Sequence, residues 1–310
     1  MSLSSANKRE YATALLIVIV GVFFFGASGK RGSAEPLSPA VVLPPNPYLA
    51  VNLSAAAAYV FDVAGQHELF SKNGEAQLPL ASLTKIMTAI TALSFAPPGT
   101  TILIQPKYLA AEGDTGLQNG EVWQLRDLLD FTLVESSNDG AVAIADTVGR
   151  TLAGGGEEGE TAFIRAMNVA AKKIGLTQTY FLNETGLDKT AGISGAYGSA
   201  RDVAHLFAYA IEKYPDIFES TKYDTITVRS DRAAAHDAKN TNHEVDKIPG
   251  LLASKTGYTD LAGGNLVVAF DAGLKHPIVV AVLGGTYEGR FEDTIKLVYA
   301  TLHFLSNRDL

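Results

Sequence analysis

Apolar residues keep two rhythms along this chain, and the rhythm changes twice. In residues 55–73 they alternate: Tyr59, Phe61 and Val63 recur at every second position, Ala64-Gly65 turns the chain, and Leu69 and Phe70 return. Alternation around a Gly turn predicts a β-hairpin. From Ser82 to about Leu93 the spacing becomes helical, with Ile86, Ile90 and Leu93 on one face, and Pro97-Pro98-Gly99 ends the segment. Residues 122–149 carry two helical patterns, broken at Glu135 to Asn138. Residues 161–176 predict another amphipathic helix, with Gly175 as its C-cap, and 199–214 a further one opening on Ser199 as N-cap. Beyond about Leu251 the alternating character returns. Two β-rich runs, 263–273 and 276–285, meet around Gly273-Leu274-Lys275, and residues 290–307 predict a closing helix. The expected fold is therefore α+β: an antiparallel sheet built from both ends of the body, with flanking helices and a helical lobe inserted between. A cleft between sheet and lobe is the expected place for a small substrate.

The N-terminus stands apart. Residues 12–27 carry no charge and follow Lys8 and Arg9. The run is near the lower length limit for a spanning helix, about 17 residues, so it predicts either a membrane anchor or a signal-peptide core. Lys30 and Arg31 on the far side weaken any orientation argument from charge. Five of the twelve prolines then fall within residues 36–47, which predicts an extended spacer. The expected organisation is a short cytoplasmic N-terminus (1–10), an anchor or signal core (11–27), a Pro-rich linker (28–47) and an exported body (48–310).

Composition removes several classes of function. The 310 residues carry a formal net charge of −8 and a pI near 5.3, whereas a nucleic-acid binder needs a basic stripe. Cysteine is absent, so thiol nucleophiles, thiolate metal sites and disulfides are excluded. None of the six histidines stands in a metal-binding spacing, and Gly154-Gly155-Gly156 lacks the lysine of a phosphate loop. Trp123 is expected to pack rather than to bind a ligand, and Glu135 to be a charged residue at the cleft lip.

The candidate chemistry starts at Ser82 and Lys85, three apart and so on one helix face. A serine becomes a good nucleophile only when a base takes its proton. A lysine can be that base if burial or a nearby cation depresses its pKa. Alone the pair is weak, since many helices begin this way. Two more stretches strengthen it: Ser136-Ser137-Asn138, in the helix-to-helix break, and Lys255-Thr256-Gly257, opening the late β-rich run. SxxK, SxN and KTG in this order form the active-site set of penicillin-binding proteins and class A β-lactamases.

With their flanks (ASLTKIMTA, SSNDGAVAIAD, Asn240-Thr241-Asn242, KTGYTDLAGG), residues 48–310 resemble the D-alanyl-D-alanine carboxypeptidase family, the low-molecular-mass penicillin-binding proteins of serine–lysine type. The resemblance implies a transpeptidase-like fold, peptidoglycan stem peptides as substrate, β-lactams as covalent inhibitors, and no cofactor or metal. It also implies roles. Ser82 would be the nucleophile and Lys85 its base, kept neutral by the charge of Lys255. Ser136 would relay a proton to the leaving group, and Asn138 would hold the substrate amide and Lys85. The backbone N–H groups of Ser82 and Tyr258 would bind the oxyanion. Lys255, Thr256 and Arg290 would face the terminal carboxylate, and Gly257 would let the substrate lie close against its strand.

Two departures matter. Ser137 stands where many members carry Gly, which is expected to add a side chain beside the cleft. Many members also carry a second β-domain and a C-terminal membrane helix, whereas this chain stops at Leu310, so membrane attachment is expected from the N-terminal segment. A DD-endopeptidase would use the same residues. A class A β-lactamase would need a deacylating glutamate in an ExxLN-like loop, and only Leu182-Asn183-Glu184 is present. A wall-binding protein with a dead site is the remaining alternative, and the intact motif residues argue against it.

Overall fold

The computed structural model describes residues 46–154, 156–231 and 235–307. The uncharged run and nearly all of the proline-rich linker lie outside these residues. Among the described residues no helix is long and apolar enough to cross a membrane.

A five-stranded antiparallel sheet organises the body. Its strands are β1 (Ala57–Asp62), β2 (His67–Lys72), β5 (Leu251–Thr259), β6 (Gly263–Asp271) and β7 (Pro277–Gly285), in the order β5-β6-β7-β1-β2. The expectation of a sheet fed from both ends holds, because β1 pairs with β7 from Ala57↔Leu283 to Asp62↔Ile278. All six residues of β1 are buried, as befits an interior strand covered on both faces. The period of two divides them. Ala57, Tyr59 and Phe61 face a core shared with the helices of the lobe. Ala58 and Val60 face a second core, closed by Phe291, Leu297 and Val298 of the last helix (Gly289–Ser306). That helix is tied to the start of β1 by Asp293, a fully buried carboxylate that accepts from Ser54 Oγ (2.9 Å) and the Ala55 N–H (2.8 Å).

The inserted lobe contains α1 (Thr84–Phe95), α2 (Leu125–Val134), α3 (Asn138–Leu152), α4 (Gly159–Ile174) and α5 (Ala200–Lys213). The predicted caps are in place: Gly175 closes α4 at φ +90°, and Ser199 Oγ accepts from the Asp202 N–H (3.1 Å). Several details differ from the sequence reading, among them a strand at Val122–Gln124 where a helical pattern was expected. Helix α1 begins at Thr84, because Ala81–Leu83 forms a 3₁₀ turn ahead of it. A further hairpin, β3 (Thr225–Arg229) with β4 (Ala235–Lys239), lies between α5 and β5. Trp123 is wholly buried on a short strand, Val122–Gln124, and donates to Glu121 (3.1 Å), so it packs as expected.

Candidate active site

The turn carrying Ser82 is held under strain. Ala81, just before it, has φ +48°, a left-handed conformation that favours glycine. Its carbonyl accepts from Thr84 Oγ1 (2.7 Å) and packs against Gly186, where a Cβ would collide with it. Ser136 is likewise left-handed at φ +62°. Such residues persist only where the surroundings over-determine them. Both stand at the candidate chemistry.

Lys85 is the second residue of α1 and 1% exposed. Its Nζ is 2.9 Å from Ser82 Oγ, 2.7 Å from Asn138 Oδ1 and 2.9 Å from the Thr185 carbonyl. Burial pulls its pKa down to about 7, against the opposing pull of Glu184. Burial is therefore the leading cause, where the sequence reading named only the charge of Lys255. Lys255 is itself 2% exposed. Burial, then the charges of Lys85 and Arg290, hold its pKa well below the ordinary lysine value. Its Nζ donates to Ser136 Oγ (2.9 Å) and to the Thr256 carbonyl (3.0 Å). Asn138 uses both ends of its amide: Oδ1 accepts from Lys85, and Nδ2 donates to the Glu112 carbonyl (2.6 Å). Two hydrogen-bonded groups result, Ser82–Lys85–Asn138 and Lys255–Ser136, joined through the chain from Ser136 to Asn138.

Edge strand β5 forms the other wall. Gly257 sits so close to the nucleophile turn that a Cβ would lie 2.9 Å from the Leu80 carbonyl and 3.1 Å from Ser82 N. The nucleophile turn itself therefore requires glycine at this position. Thr256 Oγ1 is 2.6 Å from Thr241 Oγ1. Tyr258 stands half-exposed at the rim, edge-on to Tyr287 (5.2 Å between centroids). Arg290 lies beneath, 3% exposed, its guanidinium 4.3 Å from the Tyr287 ring centre and 4.6 Å from that of Phe291. Its Nη1 donates to the Gly257 carbonyl (2.9 Å). The guanidinium is thus joined to the strand that carries Lys255 and Thr256. Beside Tyr258 opens a cavity of about 670 Å³ lined by Glu112, Leu187, Asp188, Asp260 and Leu261.

Ser137 corrects another expectation. It is fully buried and points away from the cleft. Its Oγ caps α3 by accepting from the Gly140 N–H (3.0 Å) and pairs with Thr115 Oγ1 (2.7 Å). On either side of it, Ser136 and Asn138 meet Lys255 and Lys85. Glu135 holds the β3–β4 hairpin by accepting from the Lys239 N–H (2.6 Å). The sequence reading missed the Thr185 and Glu112 carbonyls, which orient Lys85 and Asn138, because a backbone acceptor leaves no mark in residue identity. It set Glu184 aside, yet that residue is 3% exposed, and burial, with Glu160 next, pushes its carboxyl up to about 7. Among the described residues there is no cluster fit to hold a metal.

Comparison with known proteins agrees with this geometry. A family model described as D-alanyl-D-alanine carboxypeptidase matches residues 44–286. D-alanyl-D-alanine carboxypeptidase DacF of Bacillus subtilis is 30% identical over 238 residues, 74% of this chain and 57% of that protein. The chain thus spans little more than half the length of that relative. A D-alanyl-D-alanine endopeptidase of Pseudomonas aeruginosa is 28% identical over 261 residues, 82% of this chain and 77% of its own. The ampicillin-bound structure of penicillin-binding protein D2 from Listeria monocytogenes superposes with a TM-score of 0.69 at 30% identity, covering 81% of this chain and 98% of that one.

Proposed function

The chain belongs to the D-alanyl-D-alanine carboxypeptidase family, and from that premise we propose that it removes the terminal D-alanine of peptidoglycan stem peptides through an acyl-enzyme on Ser82. The observation that carries this reading is the placement of a buried amine, Lys85 Nζ, 2.9 Å from Ser82 Oγ.

A neutral amine has two hydrogens and one lone pair. Lys85 Nζ has three polar neighbours, of which the Thr185 carbonyl can only accept and Asn138 Oδ1 only accepts. Donating both hydrogens there leaves the lone pair for the Ser82 O–H. Ser82 Oγ then attacks the carbonyl carbon of the penultimate D-alanine while its proton passes to Lys85. The oxyanion meets the backbone N–H groups of Ser82 and Tyr258, whose spacing is set by the close contact at Gly257. Collapse expels the D-alanine amine, which receives by way of the Ser136 hydroxyl, held by Lys255, the proton that Lys85 took from Ser82, so that Lys85 is neutral again. Water releases the acyl group, with Lys85 again as base. Thr256 and Lys255 receive the terminal carboxylate, and Arg290 adds positive potential through Gly257. Asn138 orients both Lys85 and the substrate amide. A β-lactam would enter by the same attack and stay bound as an ester.

The test uses the full chain with two muropeptides. Free D-alanine released from an uncross-linked pentapeptide, with cross-linked dimers left whole, supports the carboxypeptidase reading. The likeness to an endopeptidase favours one alternative, cleavage of cross-links, and conversion of dimers to monomers would establish it instead.

The substrate class places the body outside the cytoplasmic membrane. Residues 11–27 tether it, residues 28–47 act as spacer, and 48–310 form the catalytic body; the uncharged run behind Lys8 and Arg9 supports this. Intact full-length chain retained in salt-washed membranes is the expected result. A soluble product beginning near Ser28 would mark a cleaved signal peptide.

A further inference from the structure

The Asn240-Thr241-Asn242 stretch has no part in the mechanism above, yet it touches the reaction centre. Thr241 Oγ1 lies 2.6 Å from Thr256 Oγ1, the hydroxyl assigned to the terminal carboxylate. Several bonds hold Thr241 there. Its own N–H donates to the Val134 carbonyl (3.3 Å) at the end of α2. Two residues earlier, the Lys239 N–H donates to Glu135 Oε2 (2.6 Å). Asn240, nearly buried, donates through Nδ2 to the carbonyls of Thr221 and Tyr223 (both 2.8 Å) and accepts through Oδ1 from the Asn242 N–H (2.8 Å). Asn242, fully buried, accepts through Oδ1 from the Glu244 N–H (3.1 Å). The backbone is thus fixed on both sides of one partly exposed threonine. The same bonds tie that threonine to the segment carrying Ser136.

We infer that Thr241 is a positioning residue for carboxylate recognition: it turns the Thr256 hydroxyl so that its hydrogen points at the substrate's C-terminus. The inference rests on the carboxypeptidase reading above. Each hydroxyl can donate one hydrogen and accept others. With no ligand, either member of the pair can donate to the other. A carboxylate beside Thr256 is an acceptor only, so one order remains favourable. Thr241 donates to Thr256 Oγ1, and Thr256 donates to the carboxylate. A hydrogen bond into the first hydroxyl polarises the second, and one to a charged acceptor gains most from this. Ligands without an anionic terminus gain little. Thr241 therefore sets a preference for free C-termini over neutral ones, without touching the substrate.

The test compares full-length wild type with Thr241→Val and Thr241→Ser on two ligands. One is a peptide ending in D-Ala-D-Ala; the other is p-nitrophenyl acetate, a neutral activated ester that can acylate Ser82 without a carboxylate. For Thr241→Val we expect kcat/KM on the peptide to fall about tenfold, mainly through KM, while the nitrophenol burst stays within about twofold of wild type. Thr241→Ser, which keeps the hydroxyl, should return peptide turnover to within about threefold. Equal loss on both ligands would make Thr241 a structural residue only. An unchanged peptide KM, or failure of serine to rescue, would also overturn the inference. Ser82→Ala separates the two levels: D-alanine release persisting in that variant would sink the acyl-enzyme reading itself, whereas wild-type behaviour of Thr241→Val would remove only the role assigned here.

Discussion

Ser82→Ala is expected to abolish covalent labelling by a fluorescent penicillin and to slow D-alanine release by about 10⁴-fold or more. The reason is local. Alanine leaves Lys85 with a lone pair and nothing to deprotonate, and no other hydroxyl takes the place of Oγ. Ser136 Oγ is already held by Lys255. Ser137 Oγ is turned into the cap of α3. The contrast with Ser137→Ala is part of the prediction. That change should cost about 1 kcal/mol of stability, the usual value of a lost N-cap, and leave labelling within about threefold of wild type. Peptide mapping of the penicillin adduct is the decisive measurement. A label on any residue other than Ser82, or one that survives the alanine variant, would end the proposal.

Lys85→Met is expected to slow acylation about 10³-fold, within the range for losing a general base, and to remove its pH dependence near neutrality. The sign follows from the depressed pKa of about 7. Below that value Lys85 is protonated, its lone pair is gone, and wild-type acylation should fall about tenfold per pH unit. Above it the rate should level off. Methionine has nearly the same reach but no proton to exchange, so its profile should be flat there. Folding should change little. The variant loses hydrogen bonds to Asn138 and Thr185 but no longer buries an amine, and these effects oppose one another. A melting temperature within about 3 °C of wild type would separate lost chemistry from lost structure. An acid limb persisting near pH 7 in the methionine variant would move the base role elsewhere, with Glu184, also at about 7, as the group to test next.

Much of this was legible in the chain. The hairpin of β1 and β2 shows in Tyr59, Phe61 and the turn at Gly65, because an interior strand must bury both faces. The motif residues are recognisable because their chemistry depends on side-chain type. The hairpin of β3 and β4 was not legible. Its outward residues Thr225, Thr227, Arg229, Asp237 and Lys239 are exposed, and Ile226, Val228 and Ala238 on the other face make too short a pattern to read. The direction of Ser137 depends on a single left-handed residue before it, and serine is not a residue from which that conformation is inferred. The part that burial plays in the Lys85 shift was not legible for a related reason. Two lysines near one another suggest repulsion, whereas depth of burial emerges only when α1, α3 and the segment around Thr185 close over the amine.

The pairing of β1 with β7 has a consequence for how the molecule comes into being. Phe61 and Val279 lie opposite one another, yet the ribosome joins them more than two hundred residues apart. Until the last strands emerge, β1 has nothing to lean on along one side, and the lysine partner of Ser136 is still far behind. Closing so long a loop is slow, and an unpaired strand is a hazard while it waits. Competence should therefore arrive late and all at once: a nascent chain lacking its final sixty residues would be without an interior strand, not merely an unfinished version of the mature protein.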